Sequence, residues 1–304
     1  MISRRDALKA LASVSIVAGA GVSGIGTKFG NNVVQAQSNP TLGSVFVTRR
    51  GPVTLHTYVA PDASAQVTSH IIETPNRLVV VDTQFIQTFA QDLRAYVDSI
   101  GKPIERVILS HEHGDHWAGA TQFTDVPFVS TATIAQTVET NLDTYLQLME
   151  SVIGAENMPE TPALPEGSLT AESEEIDGIA FEYRVDDNAE AVQHLSIHLP
   201  EANVWIVQDL IYNNAHFFPG VDRTNWIATL ESLGSDTVND DLLLVGHGLP
   251  TTRGEVQSAI AYLQLADELA ADATDGASVI TALQEAYPTY GGDELLGFWS
   301  VFLG

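Results

Sequence analysis

The sequence predicts a layered α/β fold, and three observations predict it. Short β-branched runs alternate with helical stripes, the alternation occurs twice, and a Pro- and Gly-rich connection divides the two rounds. In the first round Ser44–Thr48, Val53–Val59, Val67–Glu73, Arg77–Asp82 and Arg106–Ser110 read as strands. Phe89, Leu93, Tyr96 and Ile100 recur at helical spacing between the last two. Ile134, Val138, Leu142, Tyr145, Met149 and Val152 continue the same period over a longer helix. Each stripe needs a sheet to bury it. From Asn157 to Asp177 the chain carries Pro159, Pro162, Pro165 and Gly167 among several acids. This reads as a long connection between halves, lying over a pocket. The second round holds the strand-like runs Ile179–Val185, Leu195–Leu199, Val204–Gln208 and Leu242–Val245. Val256, Ile260 and Leu263 then mark a further helix. The apolar run Leu295–Leu303 is too short to span a bilayer and reads as a buried helix.

Composition excludes several function classes. The 304 residues include 13 Lys plus Arg against 39 Asp plus Glu, a formal charge of −26, and no cysteine. An apolar fraction of 44% is ample for a large core, which argues against disorder. Disulfides, thiolate metal sites and cysteine nucleophiles are impossible. A chain this acidic repels phosphate backbones, so nucleic acid is not an expected partner. An anionic substrate would need local positive charge to enter such a field.

The first 36 residues read as an address. Ser3, Arg4, Arg5 and Asp6 precede a soft run rich in Ala, Gly, Ser and Val, and Val34, Gln35 and Ala36 offer a small-residue cleavage site. That pattern is a twin-arginine export signal over residues 1–36, ahead of one domain at residues 37–304. Its many Gly and Ser residues make a poor spanning helix, so the expected mature protein is periplasmic or secreted and free of the membrane.

The chemistry concentrates in Val107–Ala120, which reads VILSHEHGDHWAGA. An apolar strand ends at Ser110, and His111, His113, Asp115 and His116 follow at once. Clustered imidazoles at a strand end need partners and repel one another when protonated. A divalent metal removes both costs, and imidazole with carboxylate suits zinc, with iron or manganese as further options. Gly114 lets the loop turn so that His111 and His113 address one ion and Asp115 and His116 another.

His-x-His-x-Asp-His after an apolar strand resembles the metallo-β-lactamase superfamily. Other positions agree in chain order. Leu78–Val81 followed by Asp82 resembles the early strand that ends in a structural Asp. Leu199, Pro200 and Val204–Leu210 (VWIVQDL) resemble the strand-turn-strand that ends in a bridging Asp, here Asp209. Leu243–Pro250 (LLVGHGLP) resembles the segment with the late ligand His247. The resemblance implies an αββα sandwich with its metal site at one edge. It implies His111, His113 and Glu190 around one ion, Asp115, His116 and His247 around a second, and Asp209 between them. Glu190 stands where most members place a His, as in the alkylsulfatase branch. His194 competes for that role, but it lies within a strand whose face it shares with Ser196 and His198. A ligand belongs just ahead of the strand, which favours Glu190. His198 reads as a surface or packing residue.

The implied activity is hydrolysis with two zinc ions per chain, which activate water against a small-molecule ester-like substrate: a sulfate ester, lactone, thioester or β-lactam. Asp115 is the expected orienting or proton-shuttling group, and His216 a donor to substrate or leaving group. Trp117, Tyr212 and Asn213, with His216, are the expected substrate contacts, with Phe217 and Phe218 adding apolar lining. Two other readings remain: a mononuclear iron thiol or persulfide oxidoreductase of the same fold, and a binding protein that keeps metal as a structural staple.

Overall fold

The computed structural model describes residues 35–36, 42–220 and 223–303. Two sheets, each in strict sequence order, lie face to face. The first contains β1 (Gln35–Ala36), β2 (Ser44–Arg50), β3 (Val53–Val59), β4 (Thr68–Glu73), β5 (Leu78–Val81), β6 (Ile104–Ile108) and β7 (Phe128–Val129). The second contains β8 (Ser173–Ile176), β9 (Ile179–Asp187), β10 (Gln193–Leu199), β11 (Val204–Asn213), β12 (Leu242–Gly248) and β13 (Thr251–Thr252). Each begins as an antiparallel meander and turns parallel late, at β5–β6–β7 in one and at β11–β12 in the other. Helical crossovers supply those parallel steps, as parallel pairing requires.

The helices cover the outer faces. Those belonging to the first sheet are α1 (Gln87–Ile100) and α2 (Ala132–Ile153); those belonging to the second are α3 (Thr224–Asp236), α4 (Gly254–Asp272) and α5 (Gly276–Ala286). Helix α1 buries Ala90, Leu93, Tyr96 and Val97 and stops at Gly101, whose φ of 78° favours a residue without Cβ. Helix α2 starts where the Thr131 hydroxyl accepts the Ile134 N–H at 3.2 Å. Two apolar cores result. One fills the space between the sheets and under the first helices, where Val80, Val107, Leu93 and Phe123 meet Leu195, Ile197, Val204 and Leu244. The other joins the outer face of β11 and β12 to the last helices through Val207, Leu230, Leu243, Leu263 and Trp299. The predicted layered α/β fold is therefore the observed one.

The differences are local. Helices α3 and α5 are additions to the elements read from sequence. The apolar C-terminal run becomes two short helices, Asp293–Leu296 and Phe298–Phe302, with Leu296 and Trp299 buried. The segment expected to be an export signal, residues 1–36, lies outside the described residues except for Gln35 and Ala36, which pair with Val47 and Phe46.

Both halves deliver their ligand loops to the same edge. The chain leaves β6 at Ile108, bonds Leu109 N–H to Val129 and offers the Ser110 carbonyl to Leu195 N–H at 2.8 Å. That last bond ties the tip of the first sheet to the second. Behind the loop, Gly119 sits against the Thr83 backbone, where an added Cβ would overlap the carbonyl. Gly119→Ala should therefore force a backbone shift costing about 1–3 kcal/mol, read as a melting temperature lower by several degrees. An unchanged melting curve would show that this contact is not tight.

Candidate metal centre

Seven side chains converge at the sheet edge. His111, His113, Glu190 and Asp209 offer donor atoms within 4.8 Å of one another, and so do Asp115, His116 and His247. Their spacing suits small cations. Donors around a tetrahedral ion bound at about 2.0–2.1 Å stand about 3.3 Å apart. Here His116 Nε2 lies 3.1 Å from Asp209 Oδ1, and His247 Nε2 lies 3.3 Å from Asp209 Oδ2. His247 Nε2 is 3.4 Å from Asp115 Oδ2, and His113 Nδ1 is 3.1 Å from Glu190 Oε1. His111 Nε2 stands 3.6 Å from Glu190 Oε2 and 3.7 Å from Asp209 Oδ2. The two oxygens of Asp209 thus address both groups.

The rest of the protein fixes which nitrogen of each imidazole faces inward. His247 Nδ1 donates to the Ala65 carbonyl at 2.6 Å. His116 Nδ1 lies 2.8 Å from Asp82 Oδ2. The Ser110 hydroxyl donates to that same oxygen at 2.7 Å, and so is left to accept from His111 Nδ1 at 2.9 Å. With the Nδ1 of these three engaged outward, the Nε2 atoms of His111, His116 and His247 point inward, whereas His113 meets Glu190 through its Nδ1. All three are buried without a well-aligned hydrogen bond, as are Glu190 Oε2 and Asp209 Oδ1. Buried polar atoms left in this state are costly unless something else binds them. Their donor set of imidazole nitrogen and carboxylate oxygen fits a divalent metal.

Backbone strain marks the supports. Asp82, at the end of β5, has φ +59°, and Gln84 has φ +77°. Gln208 has φ +39° at a register shift within β11, where its amide reaches Asp82 Oδ2. Non-glycine residues in this region cost energy and cluster where geometry is functional. The bulge lets adjacent residues serve the same place: Gln208 holds Asp82 while Asp209 enters the cluster. Gly246 leaves room for Asp209, since a Cβ there would fall inside its carboxylate.

Electrostatics follow from the crowding. In the metal-free protein desolvation among the packed ligands lowers the pKa of His113, but Glu190, with Glu112 and Asp115, carries the imidazole up to about 10. Burial likewise opposes His247, yet Asp209 and Asp115 raise it to about 9. The same acids lift His116 well above its ordinary value. His111 goes the other way, because burial and the neighbouring imidazole of His116 both disfavour its charged form.

The structure places each expected residue. Glu190 joins the cluster from the loop between β9 and β10. His194 instead lies flat on His111, ring centroids 5.3 Å apart, with neither ring nitrogen hydrogen-bonded. His198 pairs with Glu182 and stacks on Trp205, a packing role as expected. Tyr212 reaches the centre: its hydroxyl donates to Asp209 Oδ2 at 2.5 Å and its ring stacks on His247. Three expected substrate contacts behave otherwise. Trp117 is fully buried and donates its indole N–H to the Glu112 carbonyl, so it supports the loop from beneath. His216 is buried against Tyr262 and Tyr290, with Asp293 beyond, and touches no ligand residue. Asn213 spends its amide on the Leu249 carbonyl. Phe217 lies in the outer core, stacked between Tyr212 and Tyr262. A flanking sequence position does not reveal which way a side chain faces. Glu112, Ser110 and Gln208 were missed as site residues. Ser110 and Glu112 border ligands in sequence, but their contacts depend on the other strand and loop.

Filling the centre must expel protons from His113, His116 and His247. Zinc titrated into metal-free protein near pH 7 should release protons, so the calorimetric heat should vary with the buffer's ionisation enthalpy. A buffer-independent heat would contradict the raised values. These imidazoles stabilise the metal-free fold fully below pH 6.5, their unfolded value, and cease to do so as pH rises through about 9–10. The melting temperature of metal-free protein should fall across that window, while zinc-loaded protein stays flat.

Comparison with known proteins agrees with this geometry. The metallo-beta-lactamase superfamily model matches residues 64–247, a span that includes every ligand candidate. Among solved structures, a metallo-beta-lactamase from Pontibacter korlensis is similar in fold, with a TM-score of 0.56 and 19% identity over 72% of this chain and 99% of that one. A comparison with curated protein sequences finds no match. The stacked sheets, the ligand loops at their shared edge and the family match together establish that this chain belongs to the metallo-β-lactamase superfamily.

Proposed function

We propose that this protein is an exported metal-dependent hydrolase acting on a small ester-like substrate such as a sulfate ester, lactone, thioester or β-lactam. One observation carries the proposal. Three imidazoles, each locked outward at Nδ1, bring unsatisfied Nε2 atoms around a single buried carboxylate, Asp209. The residues that would hold the ions are His111, His113 and Glu190 for the first, Asp115, His116 and His247 for the second, and Asp209 for both. Divalent ions held by these residues, zinc on the chemistry of the donors, would supply an acidified water and polarise a carbonyl oxygen.

The chain's own residues do the rest. Asp82 and Ser110 hold His116 and His111 in one tautomer and orientation. Asp115 is the most accessible acid of the cluster, its side chain 19% exposed, and is placed to orient the attacking water or accept its proton. His113, 38% exposed, marks the mouth through which substrate arrives. Tyr212 presents a phenol at Asp209, and burial beside that carboxylate keeps it protonated. Its single O–H is spent on Asp209 Oδ2, so it fixes the orientation of that carboxylate. The twin-arginine pattern at residues 1–36 supports export in a folded, metal-filled state.

Elemental analysis of natively purified protein tests this reading, with wild type beside Glu190→Ala and His194→Ala. The expected result is about two zinc ions per chain in wild type. Glu190→Ala should lose one, and His194→Ala should keep both. A single iron per chain would overturn the two-metal hydrolase and favour thiol-oxidising chemistry.

A further inference from the structure

The cluster has a neighbour that the reaction does not use. Glu112, between the first two ligand histidines, is 2% exposed. Its Oε1 accepts the Val192 N–H at 2.7 Å and ties the histidine loop to the loop that carries Glu190. Its Oε2 is buried with no partner. Bracketed in sequence by the ligands His111 and His113 and tied to the loop that carries Glu190, this buried carboxylate lies beside the cluster.

Charge at the centre is therefore in excess. Asp82, Asp115, Glu190 and Asp209 already match the four positive charges of two divalent ions, and Glu112 adds a fifth carboxylate. Compensation from basic side chains is missing. Among the described residues no Lys or Arg contacts the cluster. Arg184 is spent on Asp186 and Asp236, Arg106 on Glu174, Arg94 on Asp98 and Asp125, and Arg223 on Asp267. A buried charge is screened by salt far less than a surface one.

We propose that Glu112 is a specificity-determining residue, which makes this cleft accept neutral or cationic substrates and reject anionic ones. The proposal rests on the hydrolase reading and narrows its substrate class. Sulfate esters and carboxylate-bearing β-lactams fall on the rejected side. Uncharged esters and lactones, and esters bearing an ammonium group, fall on the accepted side.

The test uses zinc-loaded full chain and three hydroxamates that share one metal-binding head: benzohydroxamic acid with a para methyl, para trimethylammonium or para carboxylate group. Dissociation constants are measured by calorimetry at about 0.1 M and about 1 M salt, where the screening length falls from about 10 Å to about 3 Å. The carboxylate form should bind roughly ten-fold more weakly than the methyl form in both salts, and the cation at least as tightly as the methyl form. Glu112→Gln keeps a carbonyl oxygen for Val192 and should narrow that gap several-fold at unchanged zinc content. Equal binding of the carboxylate and methyl forms, or a gap that closes in high salt, would overturn the proposal. So would a full-size gap in zinc-loaded Glu112→Gln. If that variant does not load zinc, the wild-type salt series decides alone. Failure to hydrolyse any ester while the gap persists would sink the hydrolase reading and leave the filter standing.

Discussion

Everything at this sheet edge answers one constraint: carboxylates and imidazoles are buried where water cannot solvate them. Asp209 has 1% of its surface exposed, and His111, His116 and His247 have none. In the metal-free protein the conflict is eased by protons, with acids holding His113, His116 and His247 in their charged forms. Divalent ions ease it better, because they satisfy lone pairs and charge together. The strained backbone at Asp82, Gln84 and Gln208 is intelligible on the same terms. It aims hydrogen bonds at the outward faces of the ligands, leaving the inward faces bare.

Orientation is built in layers. Asp82 lies a layer outside the ligands yet receives Ser110 N–H, Ser110 Oγ, His116 and Gln208, four groups from three residues. Its position after an all-buried strand, β5, means that no solvent competes for those bonds. The bulge in β11 reconciles two demands on successive residues, which an unbroken strand would send to opposite faces.

Much of this was legible in the sequence. The alternation of periods marked both rounds of strands and three of the helices, and His111 to His116 stood out because packing cannot explain them. Glu190 was favoured over His194 because a ligand belongs ahead of the strand, and the structure brings Glu190 into the cluster while His194 stacks behind His111. What stayed hidden depends on three dimensions. Trp117 and His216 lie next to ligand segments along the chain, but their rings face the interior. Glu112 carries no sign of its role in the sequence, because its hydrogen bond to Val192 spans 80 residues. Helices α3 and α5 are settled by their neighbours in the outer core, which Leu230, Leu233, Val279 and Leu283 join.

The division of ligands between the halves has a mechanical consequence. His111, His113, Asp115 and His116 come from the first half, and Glu190, Asp209 and His247 from the second. An ion gripped by both is a cross-link in a chain that has no cysteine to form one. The span from His116 to Asp209 makes a long closed loop. Covalent closure of such a loop restricts the unfolded chain by about 4–5 kcal/mol. Ions bound there would rivet the sandwich, and their loss would loosen the seam between the sheets before either sheet came apart.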